Sequence, residues 1–200
     1  MLTLAQALAP FAGTYSRSFL DAMRFVLAWE TAFQKGHADD YNFVFTENVA
    51  GDSGGRTRYG VDQANHPKVD VPHLSLAGAL EVYHAGDWDA VQGDAQPLPA
   101  LALVAFDATV NQGAHLAGLW VQAAAGVPTD KRDGIIGPGT LACIRAHLAA
   151  NPAGHGEDML RAVQAARVAR YRSLAHGKNA KFLPGWLNRT TALSHLLGIA

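Results

Sequence analysis

Cysteine is almost missing from this chain: among 200 residues only Cys143 carries a thiol, so no intramolecular disulfide can form. Flanked by Leu141, Ala142 and Ile144, it reads as a buried, inert side chain on a helix. Charged residues are sparse at 16%, while apolar residues reach 49%, which excludes an intrinsically disordered chain. No apolar run approaches the ~20 residues of a membrane-spanning helix, so no insertion into a membrane is expected. Glycine and proline number 20 and 9, near ordinary usage, which excludes collagen-like and low-complexity classes. The nine histidines form no HxxxH or HxxH pair, so neither a metal site nor a cofactor is expected. GxxxxGK[ST] and GxGxxG are both missing, which removes the common nucleotide-phosphate loops.

The N-terminus, from Met1 to Pro10, has no basic segment before its apolar residues and makes a poor secretory signal. The chain is expected to fold in a reducing cytoplasm and to be carried elsewhere by other means. Net charge is −1, but it is unevenly spread. Residues 1–130 hold six basic and fourteen acidic residues, whereas residues 131–200 hold ten basic and three acidic. Such a dipole bears on partners, not on fold.

Most of the chain has helical period. Phe19, Met23, Val26, Leu27 and Glu30 place a helix over residues 14–33, with Ser18 as its N-cap. A short helix follows Ser75 over 74–85, and a nearly all-apolar one over 98–112 should be the buried central helix. Further helices read over 115–126, 138–150 and 157–175, with a Pro-Gly-Trp break inside 179–198. Residues 36–60 lack that period and are rich in Gly, Asp and Asn, so they read as a long loop with at most a short hairpin. A loop of this length in a compact domain is usually functional. The weakest joint is Gly126-Val127-Pro128-Thr129-Asp130, where the charge balance also changes sign.

Three places offer chemistry. Glu30 ends an apolar helix in Val26-Leu27-Ala28-Trp29-Glu30. A carboxylic acid among apolar neighbours holds its proton more tightly, because ionising there costs solvation, and this keeps a general acid protonated near neutral pH. A solvated helix end is the plainer alternative. Next, Gly51-Asp52-Ser53-Gly54-Gly55-Arg56-Thr57-Arg58-Tyr59-Gly60-Val61 sets a carboxylate, a hydroxyl and an aromatic ring on a backbone free to turn sharply. Finally, Asp107 lies in the apolar run Leu103 to Val110 with Asn111 one turn on. A charge there must be paired or hydrogen-bonded, and the two residues either buttress the site or line a groove.

Taken in order, these segments resemble the glycoside hydrolase family 108 lysozymes, which are N-acetylmuramidases. The likeness rests on a helix-end Glu followed by Asp-x-Gly-Gly-x-Thr-x-Tyr-Gly-Val. It continues through Leu80-Glu81-Val82-Tyr83 with Asp87-Trp88, then Phe106-Asp107-Ala108-Thr109-Val110-Asn111-Gln112-Gly113. Asp133-Gly134-Ile135-Ile136-Gly137-Pro138-Gly139-Thr140 resembles the opening of the predicted peptidoglycan-binding region of that family, and Gly185-Trp186-Leu187-Asn188-Arg189 its close. The chain departs from the family in having Thr31-Ala32-Phe33 where Gly-Gly-Tyr is usual. It also has a longer stretch, 34–50, which brings Glu47 as a second candidate carboxylate.

The resemblance implies a mainly α, lysozyme-like helical fold with a short β-hairpin or loop excursion near residues 40–60. It implies a catalytic region over 1–126 and a peptidoglycan-binding-like helical region over 127–200. It places the catalytic acid at Glu30, with Asp52 ionised opposite it to stabilise the oxocarbenium-like transition state or orient water. Thr57 would position that water, and Tyr59 would pack on a sugar ring or on the acid. Glu47, Asp107 and Asn111 complete the expected substrate-binding set. The partner is the peptidoglycan glycan strand; a phage endolysin or a secreted bacterial lytic effector fits, the latter with an immunity or inhibitor protein or a secretion machine as a further partner. Its place of action is then the periplasm or cell wall. The basic helix with Arg161, Arg167, Arg170 and Arg172 suits an anionic wall polymer, or else forms a solvated face. Nucleic acid is not expected, since the sequence pI is about 6.7 and no nucleic-acid-binding motif is present. A chitosanase- or chitinase-like enzyme on the same scaffold, and an inactive wall-binding module, are the alternatives.

Overall fold

The structure is a computed structural model, and it describes residues 3–30, 45–46 and 56–200. It is mainly α with a small antiparallel sheet, as expected. The candidates Glu47 and Asp52, and the stretch 31–44, lie outside the described residues.

The chain divides into two compact units, Met1–Gly86 and Asp87–Ala200. In the first, helix α1 (Leu4–Leu8) opens on a capping box: Thr3 Oγ1 accepts from the Gln6 amide while Gln6 Oε1 accepts from the Thr3 amide. It packs on α2 (Arg17–Glu30), whose buried face is Phe19, Ala22, Met23, Val26 and Leu27. The cap of α2 is Ser16, whose hydroxyl accepts from the Phe19 amide at 3.2 Å, two residues before the Ser18 that the sequence suggested. Strands β1 (Phe45–Thr46), β2 (Thr57–Arg58) and β3 (Val61–Asp62) pair antiparallel in that order. Arg58 pairs with Val61, so Tyr59 and Gly60 are the whole loop of the β2–β3 hairpin. Helix α3 (Leu76–Tyr83) is capped by Ser75, which accepts from the Gly78 amide at 3.1 Å.

The second unit is built on α4 (Pro99–Gln112), buried from Leu101 to Thr109. That is what its nearly unbroken apolar sequence demands of a helix with no polar face. Trp88 is fully buried and meets Phe106 edge-on, with ring centroids 5.4 Å apart. Helices α5 (Ala114–Ala124) and α7 (Glu157–Leu174) pack on α4 and on each other, and α8 (Leu183–Leu196) packs on α7. Helix α6 (Pro138–Ala150) starts with Pro138 in its first turn. The expected Pro-Gly-Trp break does not occur. Pro184 sits in the first turn of α8, where a helix needs no amide donor, so the segment starts the helix rather than interrupting it. Cys143 is half-buried rather than enclosed.

The division falls at residue 86, whereas the sequence suggested a boundary at 126. The reason is α4: its apolar surface is covered by α5 and α7, so it joins the helices that follow it.

Candidate active site

Glu30 is the last residue of α2 and is half-buried. The β2–β3 turn packs directly against it. A Cβ placed on Gly60 would lie 2.8 Å from both Cβ and Cγ of Glu30 and 2.4 Å from the Tyr83 hydroxyl. Only a residue without a side chain lets the turn approach this closely. Tyr59 and Gly60 both have positive φ, 54° and 81°, as a two-residue hairpin with a type I′ turn requires. Glycine adopts this freely, whereas for tyrosine the strain is about 1–3 kcal/mol and needs support from its surroundings. That support is visible. Tyr59 is only 6% exposed, the Arg58 guanidinium lies 5.5 Å from its ring centre, and its carbonyl accepts a hydrogen bond of 2.9 Å from the Tyr83 hydroxyl. Tyr83, the last residue of α3, is itself buried.

The N-terminal unit therefore brings together Glu30, the Tyr59–Gly60 turn and Tyr83, with Thr57 half-buried on the same hairpin two residues before the turn. Tyr59 takes a place in the packed interior rather than offering its ring to solvent. Tyr83 is the member that sequence reading missed. Its motif was legible, but its partner lies 24 residues away and no local spacing announces it.

Asp107 and Asn111 belong to the C-terminal unit, on α4. Asp107 is fully buried, and both of its oxygens are engaged by arginines. Oδ1 accepts from Arg189 Nη2 at 2.7 Å and Nε at 2.9 Å, and Oδ2 accepts from Arg167 Nη2. Burial alone would raise the Asp107 pKa, but the guanidiniums of Arg189 and Arg167 outweigh it and hold the carboxyl below its usual range. The network extends outward: Arg167 also donates to Gln112 Oε1 and to Gln164 Oε1, and Gln164 Nε2 donates to the Thr190 carbonyl and to Ser194 Oγ. Asn111 Nδ2 donates to the Asp107 carbonyl at 2.8 Å. This network ties α4, α7 and α8 together.

Arg167 is thereby removed from the basic surface that the sequence suggested. It is fully buried because its charge is matched by Asp107, 60 residues earlier. Arg161 pairs with Glu157 at 3.5 Å. Arg170 and Arg172 remain exposed.

A second network holds the Asp133–Thr140 loop. Gln122 Nε2 donates to Asp133 Oδ1 at 2.7 Å and Gln122 Oε1 accepts from the Gly134 amide at 2.9 Å. The hydrogen bond from Gln122, and a second from the Ile135 amide to Asp133 Oδ1 at 2.9 Å, hold the Asp133 pKa below its usual value.

Comparison with known proteins follows the same order along the chain. Residues 44–113 match the family model described as Glycosyl hydrolase 108, and residues 116–191 match that of a Predicted Peptidoglycan domain. Glu30 precedes the first matched segment. Comparison with curated proteins gives no match. A solved structure from Brucella abortus, that of SagA, is 23% identical; the alignment covers 92% of this chain and 97% of that one with a TM-score of 0.69, a likeness of fold. The two family matches, in the order of the motifs, bear out the resemblance: a segment similar to glycosyl hydrolase 108 precedes one similar to a predicted peptidoglycan domain, which supports a glycoside hydrolase directed at peptidoglycan.

Proposed function

We propose that this protein is an N-acetylmuramidase, cleaving the glycan strand of peptidoglycan between N-acetylmuramic acid and N-acetylglucosamine. The observation that carries the reading is the packing of the Tyr59–Gly60 turn on Glu30. The resemblance requires a helix-end acid beside the hairpin of the Thr-x-Tyr-Gly motif, and within the N-terminal unit these two pieces meet. The Glu30 carboxyl donates its proton to the glycosidic oxygen as the bond from that oxygen to the anomeric carbon breaks. Positive charge then develops on the anomeric carbon and the ring oxygen. Asp52 is the carboxylate that stabilises this charge or orients the attacking water, and Thr57 holds the water. The water oxygen bonds to the anomeric carbon, and its proton passes to a carboxylate. The enzyme works at a cell wall, delivered there by phage lysis or by a secretion system, and a producing bacterium would need an immunity or inhibitor protein against it.

The test is Glu30→Gln, which keeps shape and removes the acid proton. Acid catalysis contributes about 10²–10⁴-fold, so clearing of a peptidoglycan zymogram should nearly vanish while circular dichroism is unchanged. Clearing at the wild-type rate would transfer the role to Glu47. If the unmodified protein clears chitosan and not peptidoglycan, the substrate is another amino-sugar polymer. If it binds sacculi and clears neither, it is a wall-binding module.

A further inference from the structure

Where α7 ends and α8 begins, the C-terminal unit carries charge of one sign. Residues 159–200 contain seven Arg and Lys and no Asp or Glu. Three of the seven are spent inside the unit: Arg167 and Arg189 on Asp107, and Arg161 on Glu157 and the Ile199 carbonyl. The other four, Arg170, Arg172, Lys178 and Lys181, are exposed, and none pairs with a carboxylate among the described residues. They gather at one place. Arg172 stands in the last turn of α7, and Lys178 and Lys181 follow on the 3₁₀ turn Gly177–Phe182. Arg170 lines the same cavity as Trp186 of α8.

Apolar side chains surface at this corner too. Phe182 is 47% exposed, with the Lys181 ammonium 5.0 Å from its ring centre. The next residue, Leu183, is half-buried, and Pro184 is exposed. Behind them Phe182 meets Trp186 with centroids 5.9 Å apart, and Trp186 stacks on Tyr171 at 5.1 Å, which holds the aromatic group in place.

The two properties together select a lipid surface. Four unmatched cations attract an anionic layer. A nucleic acid would be attracted as well, but Leu183 and Pro184 offer it neither a hydrogen bond nor a ring to stack on. In a headgroup layer Phe182 and Leu183 leave water for the edge of the acyl chains, while the lysine and arginine stems lie beside them and keep their charges at the phosphates. Such attachment lies on a membrane and does not cross it. It is compatible with the finding that, among the described residues, no helix is long and apolar enough to span one.

We propose that Lys178, Lys181, Phe182 and Leu183, with Arg170 and Arg172, form a peripheral docking surface for an anionic phospholipid membrane. The proposal stands within the C-terminal unit and does not rest on the muramidase reading, because a phospholipid vesicle carries no wall glycan.

The experiment is co-sedimentation of the full chain with vesicles of phosphatidylcholine alone, or of equal parts phosphatidylcholine and phosphatidylglycerol. The expected result is saturable binding to the mixed vesicles, little to phosphatidylcholine, and release as salt rises. Each lysine near an anionic surface is worth about fivefold in affinity, so Lys178→Ala with Lys181→Ala should weaken binding by about 25-fold. Phe182→Ala should weaken it by about fivefold, from the half of the ring that would leave water. With Phe182→Trp, vesicles should shift the added emission to the blue. Arg145→Ala is the control for net charge. Arg145 is exposed on α6, two residues from His147, which pairs with Asp158 at the opposite end of α7. That end is about 27 Å away at 1.5 Å per residue, so Arg145→Ala should bind as the unmodified protein does. Circular dichroism checks that each variant is folded. No binding to the mixed vesicles overturns the proposal, as does equal weakening by Arg145→Ala and Lys181→Ala. So does an unshifted Phe182→Trp emission on bound protein. Tighter binding of a single-stranded oligonucleotide than of the mixed vesicles would make this a nucleic-acid surface instead.

Discussion

Gly60→Ala is the most direct probe of the active-site packing. The added methyl would meet the Tyr83 hydroxyl at 2.4 Å and the Glu30 Cβ and Cγ at 2.8 Å, all well inside van der Waals contact. Two of those three atoms belong to the base of the Glu30 side chain, which cannot swing away without moving the helix end. The backbone φ of 81° adds about 1–2 kcal/mol for any residue with a Cβ. Overpacking adds typically 1–3 kcal/mol, so the total cost is about 2–5 kcal/mol. A chain of this size loses about 2–4 °C in melting temperature per kcal/mol, which places the expected fall at roughly 4–20 °C. If the turn relieves the clash by lifting off, Glu30 shifts with it. A misplacement of about 1 Å costs on the order of 10²-fold in turnover. Two controls separate the terms. Gly13→Ala meets nothing within 4 Å at an ordinary φ and should be neutral. Gly113→Ala meets nothing within 4 Å but has a φ of 88°, so it should show the backbone cost alone. Thermal unfolding and peptidoglycan clearing per folded molecule are measured for all three. A Gly60→Ala protein that matches Gly13→Ala in both would refute the packing of the turn on Glu30.

Tyr83→Phe removes the hydrogen bond to the Tyr59 carbonyl, a loss of about 0.5–1.5 kcal/mol. As a positioning change it should lower kcat with KM nearly unchanged, and an unaltered kcat would show the hydroxyl to be structural only. Asp107→Asn leaves two buried guanidiniums poorly matched and should destabilise the C-terminal unit by about 3–5 kcal/mol, measured by urea unfolding. Because the folded pKa of Asp107 is lowered, its contribution is fully present above the ordinary Asp value of about 3.9 and is lost as pH falls through the lower folded value. The wild-type stability should therefore fall below about pH 4 on a limb that Asp107→Asn flattens, and an identical acid limb in both proteins would count against the pairing. Arg167→Glu should prevent stable folding, whereas Arg170→Glu should fold normally and bind sacculi more weakly, with a smaller dependence on salt. Equal effects of the two changes on the melting temperature would contradict the difference in burial.

Much of the architecture was legible because helices announce themselves locally. The apolar run of α4 has no polar face, and such a helix can only be central. Ser75 caps α3 because a hydroxyl three residues before an amide closes that bond within one turn. The two-residue Tyr59–Gly60 turn is not legible in this way: the sequence points to Gly54 and Gly55 for the sharp turn, and the positive φ of Tyr59 is held by its packing. What the sequence alone could not decide was where an exposed-looking polar residue finds its partner. Arg167 and Arg170 lie in the same basic helix and look alike in the sequence. One is buried on Asp107, which arrives from another helix 60 residues away, and the other faces outward. Pro184 read as a break because proline lacks an amide donor, yet in the first turn of α8 no donor is missed. The meeting of Glu30, Gly60 and Tyr83 was likewise beyond the sequence: the three come from a helix end, a turn and another helix end. Local chemistry chooses secondary structure over a few residues, whereas burial and charge matching are settled only when distant segments pack, and the candidate site is made of such meetings.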